Sequence, residues 1–172
     1  MFDTNLPSHS EHNGAQNDFN ILFNIQEISS MGEIFYRKMI SNSNQRNHLN
    51  TFEKMLSLKS RLIAKTKYFL QLYNVWLINQ EQWDLIADVQ KSYDDLMSKS
   101  LSQQDFSLNN LLVIERKVLI ALKNASSTFR EKDIARKLSA QLASFQVAID
   151  NVALTICEKS IVESNQKSET AE

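Results

Sequence analysis

Apolar side chains recur at helical spacing along most of the chain, and this repeat is the strongest structural signal in the sequence. Its first stretch follows a 4-3-4-3-4 spacing, which is typical of a helix that buries one face. The stripe consists of Ile21, Ile25, Ile28, Gly32, Phe35 and Met39. Asp18 precedes it as an expected N-cap, and the polar run 41–44 after it favours a turn. The pattern predicts a first helix between these points, followed by an antiparallel neighbour.

A second helix is predicted from Asn47 to Leu77. Its expected buried stripe is Leu49, Phe52, Leu56, Ile63, Leu70 and Tyr73, flanked by Met55, Leu62 and Phe69. Asn79 and Gln82 resemble a capping box that opens a third helix. The apolar positions of that helix are Trp83, Ile86, Val89, Tyr93 and Met97.

The stretch 98–107 has no regular stripe and predicts a break in the third helix, after which the helical period resumes. The resumed stripe is Leu108, Leu111, Leu112, Val118, Leu119 and Leu122. Thr128 and Glu131 resemble a second capping box. The helix expected after it carries Ile134, Leu138, Leu142, Phe145, Ile149, Val152 and Ile156. The chain therefore has four long helices, or five if the break separates two.

These stripes predict an all-α protein, an antiparallel four-helix bundle with disordered ends. The expected organisation is a tail at 1–17, a helical bundle domain at 18–159 and a tail at 160–172, because both ends are polar and lack periodicity. The length of 172 residues fits one domain. With Gly 2 and Pro 1, the chain lacks the turn residues that a sheet protein of this size needs.

Charge and cysteine content narrow the expected partners and location. The formal net charge of -1 provides no field to attract nucleic acid or an anionic membrane. The beginning of the chain resembles no secretory signal, and no apolar run approaches the roughly 20 residues of a membrane span. The single Cys157 is interpreted as a packed, unreactive thiol. A cytoplasmic location is expected.

Several short segments resemble a known family. Gly32-Glu33-Ile34-Phe35-Tyr36-Arg37-Lys38, the run Leu49-Asn50-Thr51-Phe52 leading to Leu58-Lys59-Ser60-Arg61-Leu62, and Glu115-Arg116 with Ala121-Leu122-Lys123 carry the likeness. They resemble helices of small bacterial ferritin-like four-helix bundles of unknown function, over about residues 19 to 157. The resemblance implies a ferritin-like fold and a metal site built from glutamate and Glu-x-x-His ligands.

The sequence lacks that ligand set. Not one Glu-x-x-His occurs, because Glu33, Glu53 and Glu115 are followed at the third position by Tyr36, Leu56 and Val118. The histidines are His9 and His12 in the expected tail and His48 at the start of the second helix. No cofactor is therefore expected, and Glu33, Glu53 and Glu115 are only weak metal candidates.

Glu115 is the one acid expected on an interior stripe, between Leu111 and Val118. We interpret it as a core carboxylate paired with Arg61 or a neighbouring lysine, in preference to a metal ligand or a catalytic acid. Glu33 could face it and form a remnant two-carboxylate site, although a solvated Glu33 is the commoner arrangement. The tyrosines are expected as core or boundary rings with solvated hydroxyls.

The leading functional hypothesis is a non-enzymatic helical bundle that self-associates or binds another protein, with a possible role in stress. It rests on amphipathic helices without catalytic residues and on Ile28, Leu77 and Ile78, which are expected to lie outside the strict stripes. The alternative is a degenerate ferritin-like metal-binding protein. A helical chaperone or secretion adaptor is a third hypothesis, drawn only from size and charge.

Overall fold

A computed structural model describes residues 9–42, 47–72, 82–101 and 106–169 of the chain, with side chains within 14–158 of these ranges. The described residues contain five α-helices and no strand. The helices are α1 (His9–Ser41), α2 (Leu49–Leu70), α3 (Asp84–Leu101), α4 (Leu108–Ser127) and α5 (Lys132–Glu169). The all-α class expected from the sequence is confirmed.

The buried faces of α1, α4 and α5 are those that the periodicity predicts. On α1, Ile25 and Ile28 are fully buried, and Phe35 is 1% exposed. Every predicted stripe residue of α4 is buried, and on α5 the predicted stripe is buried from Ile134 to Val152. Burial of this apolar surface is the main source of helix stability, because isolated helices are marginal in water.

The start of α1 corrects the predicted N-terminal tail. The helix begins at His9, so residues 9–17 are helical and Asp18 lies inside α1 rather than at its N-cap. This part of the helix makes a tertiary contact: a Cβ at Gly14 would lie 2.7 Å from Cδ of Arg130, so the helix backbone packs against that side chain. Such a contact is invisible to local periodicity.

Asp18 has a structural role at the start of α5. Its buried carboxylate accepts hydrogen bonds from the backbone amides of Arg130, at 2.9 Å, and Glu131, at 3.1 Å. The predicted capping box of Thr128 and Glu131 is wrong, because Thr128 is the C-cap of α4 and donates its hydroxyl to the carbonyl of Ala125 at 2.8 Å. Asp18 therefore replaces the expected local cap by holding the turn that leads into α5.

The buried stripe of α2 differs from the predicted one. Leu49 is 36% exposed, and Leu56, Ile63 and Leu70 are only half-buried. The face that packs inward carries Phe52, Met55, Lys59, Leu62, Thr66 and Phe69. This set follows a regular 3-4-3-4-3 spacing. Because Lys59 and Thr66 are polar, a pattern built from apolar residues alone does not detect this stripe. The helix ends at Leu70 with Gln71 as its C-cap, before the predicted end at Leu77. Tyr73, Leu77 and the capping box at Asn79 lie outside the described residues.

The break expected near residue 100 separates two helices. α3 ends at Leu101 and α4 begins at Leu108, where the N-cap Ser107 accepts a hydrogen bond from the backbone amide of Asn110 at 3.4 Å. The arrangement with five helices is therefore the one observed in the described residues.

The end of α5 corrects two further expectations. The helix continues to Glu169, through most of the predicted tail at 160–172. No glycine or proline follows Gly32 in the sequence, so nothing interrupts helix propagation there. Cys157 is exposed, so the interpretation as a packed thiol is wrong.

The helices pack around one core. α1 contacts α2, α3 and α4, while α5 contacts α2 and α4, and α3 contacts α4. Within the described residues, one segment, Lys132–Glu158 of α5, is long and apolar enough by composition to cross a membrane, contrary to the expectation above. Of the most apolar window in this segment, 28% is buried in the bundle. The core helix of a soluble protein passes the same test of length and composition, so this test alone does not assign a membrane span.

Removing the Asp18 carboxylate tests its tertiary role. Asp18→Ala leaves two buried amides without their acceptor, and we expect it to lower the free energy of unfolding by about 2 kcal/mol. Urea denaturation followed by circular dichroism measures this. Asp88→Ala, at an exposed carboxylate, serves as the control and should change stability by less than about 0.5 kcal/mol. Equal losses in both variants would contradict the assigned role.

Candidate functional site

The centre of the bundle holds a carboxylate with three hydrogen-bond donors. The interior stripe of α4 places Glu115 in the core with 1% exposure. Its Oε1 accepts a hydrogen bond from the hydroxyl of Tyr36 and another from the hydroxyl of Tyr93, each at 2.6 Å. Its Oε2 accepts a hydrogen bond from Nζ of Lys59 at 2.7 Å. The expected pairing with a lysine is thus present, whereas the proposed alternative Arg61 is exposed and bonds Ser57.

Lys59 neutralises this carboxylate and is itself fully buried. Its ammonium lies 4.3 Å from the ring centroid of Phe145 on α5, a cation–π contact. Its methylene stem passes close to α1 at Gly32, where a Cβ would lie 2.8 Å from Cε of the lysine. Gly32 costs about 1 kcal/mol in helix propensity relative to alanine, and in return it makes space for the lysine.

The two tyrosines complete the cluster, which we call the Glu115 cluster: Tyr36, Lys59, Tyr93 and Glu115. Phe35 stacks on Tyr93 with ring centroids 4.8 Å apart and packs edge-on against Tyr36 at 5.1 Å. Burial raises the pKa of both tyrosines well above the ordinary value of 10.0, and the charge of Glu115 raises it further. Both phenols therefore remain neutral donors, and their hydroxyls are buried rather than solvated as expected.

Little free volume adjoins the Glu115 cluster. A cavity of about 10 Å³ lies beside it, lined by Glu115, Tyr36 and apolar side chains. That volume is at the lower limit for one water molecule, whereas ligand pockets span roughly 300 to 1,000 Å³. The unsatisfied buried polar atoms of the described side chains lie elsewhere, at Oε1 of Gln26 and Oε1 of Gln141. The cluster is therefore a packed network in which the polar groups bond one another.

The three metal candidates have different surroundings. Glu33 accepts hydrogen bonds from Arg37 at 2.7 Å and Ser60 at 2.8 Å, and the bond from Arg37, followed by that from Ser60, lowers the pKa of its carboxyl. Glu53 is exposed on α2. Glu115 bonds only tyrosine and lysine among the contacts described above. No group of three or more histidine, cysteine, aspartate or glutamate residues able to hold a metal occurs in the described part of the chain.

Sequence reasoning missed Lys59, although a signal for it exists. Lys59 and Thr66 occupy the heptad positions between Met55, Leu62 and Phe69. A heptad pattern that allows polar residues at core positions predicts both side chains on the buried face of α2. His48, expected at the start of the second helix, lies edge-on to the ring of Phe52 at 6.1 Å and is tilted against the ring of Phe106 at 5.9 Å.

A larger concave surface lies at the ends of α1 and α3. This open groove has a volume of about 610 Å³ and is lined by Arg37, Lys38, Met39, Ser41, Asn42, Met97 and Leu101. Its described lining residues combine two cations with apolar side chains and include no acid or histidine, so they offer a binding surface rather than an acid–base pair.

Comparisons of the chain with protein-family models, with curated proteins and with solved structures each give no match.

Breaking the buried ion pair tests the role of the Glu115 cluster. Glu115→Gln leaves the ammonium of Lys59 buried without a counter-charge, and we expect a loss of about 3 to 5 kcal/mol in the free energy of unfolding. Lys59→Met combined with Glu115→Gln should recover much of that loss, because the buried charge is gone. Glu53→Gln is the exposed control. A double variant no more stable than Glu115→Gln would contradict the ion-pair account.

The tyrosines predict a specific response to alkaline pH. A raised pKa in the folded state means that stability from Tyr36 and Tyr93 is fully present below pH 10.0, the ordinary value, and is lost as the pH rises above it. Phenolate absorbance during an alkaline titration should therefore show that these two of the 4 tyrosines ionise only as the helices unfold. Ionisation of both with full helical circular dichroism would contradict their burial. Tyr36→Phe identifies one of the delayed groups.

Proposed function

We propose that this protein is a non-enzymatic helical bundle that acts through self-association or by binding another protein. The observation that carries the proposal is a set of exposed large apolar side chains on the outer faces of α4 and α5. Val113 is 67% exposed and Ile120 is 60% exposed on α4, while Val147 is 57% exposed and Leu154 is 60% exposed on α5. Single exposed apolar residues are common, but aligned ones are typical of interaction surfaces.

The spacing of these residues supports this interpretation. In each pair the two residues are one heptad apart, so they share one face of the helix, opposite the core stripe. A helix with apolar residues on its core face and on its outer face has a second surface that a further helix can cover. Ile28 is buried with the rest of the α1 stripe and so adds nothing to an exposed surface, and Leu77 and Ile78 lie outside the described residues. The support for an interaction surface therefore comes from α4 and α5.

The state of the Glu115 cluster supports the non-enzymatic part of the proposal. Both carboxylate oxygens accept hydrogen bonds, the two phenols are neutral donors, and the adjoining cavity is far smaller than a substrate. A general acid or base needs access to a reacting group and a free proton site, and this cluster has neither.

We further propose that α1, α2, α4 and α5 form an antiparallel, ferritin-like four-helix bundle, with α3 on the crossover. Contacts between successive helices support it: the rings of Tyr36, near the end of α1, and Phe52, near the start of α2, lie 6.1 Å apart, and Lys123 of α4 donates to Gln146 of α5 at 2.8 Å. The likeness to bacterial ferritin-like proteins of unknown function, and a cytoplasmic location, belong to the same proposal. The likeness rests on this packing and on the sequence segments quoted above, and the proposed location rests on the single cysteine of the sequence.

The alternative, a degenerate ferritin-like metal-binding protein, has less support. Of its three candidate ligands only Glu115 lies in the core, and a lysine ammonium occupies the position beside it where a cation would bind. The weaker of the two proposals would gain support from a stoichiometric metal in the purified protein that is lost in Glu115→Gln.

Removing the exposed apolar residues tests the leading proposal. We expect the wild-type chain to form an oligomer by size-exclusion chromatography with light scattering, or to retain a specific protein from its native host. Replacing Val113, Ile120, Val147 and Leu154 with serine should abolish that association without lowering the thermal midpoint, because these side chains are outside the core. Ile34→Ser, at an exposed apolar residue of α1, is the control.

A strictly monomeric wild-type protein that retains the same host proteins as the serine variant would count against the proposal. Elemental analysis of the same preparation decides the metal-binding alternative.

A further inference from the structure

The outer face of α5 carries a second apolar repeat besides the core stripe. Ala140, Ala143, Val147 and Leu154 are all exposed, and three of them, Ala140, Val147 and Leu154, are spaced by heptads. The opposite face holds the buried residues Leu138, Leu142, Phe145, Ile149 and Val152, which face α2 and α4. Within the described residues, α5 is therefore apolar on two sides, and its outer side faces solvent.

The order of residues along this outer face is self-complementary. When two α5 helices lie side by side in opposite directions, centred on Val147, that residue faces its own counterpart. Ala140 then faces Leu154 of the second copy, and Leu154 faces Ala140, so each small side chain opposes a large one and the layers have similar volumes. A contact in which each surface meets an identical surface is the isologous arrangement of a twofold dimer.

The charges at the two ends fit the same alignment. Arg136 at one end lies opposite Glu158 at the other, and both side chains are exposed. A parallel pair would instead place Arg136 against Arg136 and Glu158 against Glu158, which is repulsive. The present ion pair of Arg136 with Asp133 at 3.0 Å is between exposed groups and contributes little.

We propose that a second copy of this chain covers the outer face of α5, in an antiparallel, twofold-symmetric helix pair centred on Val147. This inference rests on the proposed function and names the partner for one of its surfaces. A membrane surface fits less well, because interfacial helices present a lysine- and arginine-rich polar face, whereas this face ends in charges of both signs. The formal net charge of -1 likewise provides no attraction to anionic lipid.

Sedimentation velocity over a wide concentration range tests the surface. We expect a dimer for the wild-type chain, and Val147→Glu should raise the dimer dissociation constant by about a hundredfold or more, because it places two carboxylates on the twofold axis. Ile34→Glu is the control, since it introduces a carboxylate at an exposed apolar residue of α1, outside the faces of α4 and α5. It should leave the dissociation constant unchanged. The thermal midpoint of each variant confirms that the core is intact.

A charge exchange tests the antiparallel alignment. Arg136→Glu and Glu158→Arg should each weaken the dimer by about tenfold, because each places like charges opposite one another. The variant that carries both changes restores opposite charges in the antiparallel pair, and its dissociation constant should return to near the wild-type value. A merely additive loss in this double variant overturns the alignment.

The outcomes separate this inference from the proposed function. If Val113→Glu dissociates the dimer and Val147→Glu does not, self-association uses the outer face of α4. The proposed function then stands, and the α5 pair is overturned. A monomeric wild-type chain overturns the α5 pair, while loss of a host partner in the serine variant still supports the proposed function. Sedimentation of the monomeric chain with anionic phosphatidylserine vesicles would assign the face to a membrane and likewise overturn the inference.

Discussion

A charged carboxylate inside an apolar bundle requires partners that compensate for the hydration it loses. Glu115 obtains them from three other helices: Tyr36 on α1, Lys59 on α2 and Tyr93 on α3, each within 2.7 Å. Lys59 in turn rests on the ring of Phe145 on α5. All five described helices therefore meet around one ion pair, and a shift of α1, α2, α3 or α4 along its axis would leave a buried polar group without its partner.

The hydrogen bonds that allow the Glu115 cluster to be buried also occupy the oxygen atoms that a proton transfer to Glu115 would need. A reactive buried acid or base usually has an accessible proton site and a perturbed environment that favours proton exchange. Here the phenols are held in their neutral form, the carboxylate is fully engaged, and the adjoining cavity of about 10 Å³ admits no substrate. A buried network of this kind contributes to a unique helix register, which the apolar stripes alone specify less strictly.

The outer faces of the helices are the surfaces that remain accessible to another molecule. Core packing on one side and a second apolar repeat on the other give α5 two distinct surfaces, one internal and one available to another chain. Its high apolar content, enough to resemble a membrane span by composition, follows from carrying both. In the proposed function, this second apolar repeat is the surface that another chain covers.

The sequence by itself determined which faces of α1, α4 and α5 are buried and that Glu115 points inward, because these features follow from a period repeated over several turns. It also indicated the break near residue 100. It did not determine the true stripe of α2, because Lys59 and Thr66 interrupt the apolar repeat. It also did not determine the partner of Asp18, the backbone amide of Arg130, which lies 112 residues further along the chain. Nor did local composition predict where α1 begins, because the polar segment 9–17 lacks an apolar repeat, whereas in the structure it is helical and packs against Arg130 at Gly14. Periodicity is a local property, whereas the partner of a buried polar group is chosen by packing between distant segments, and only the tertiary structure decides it.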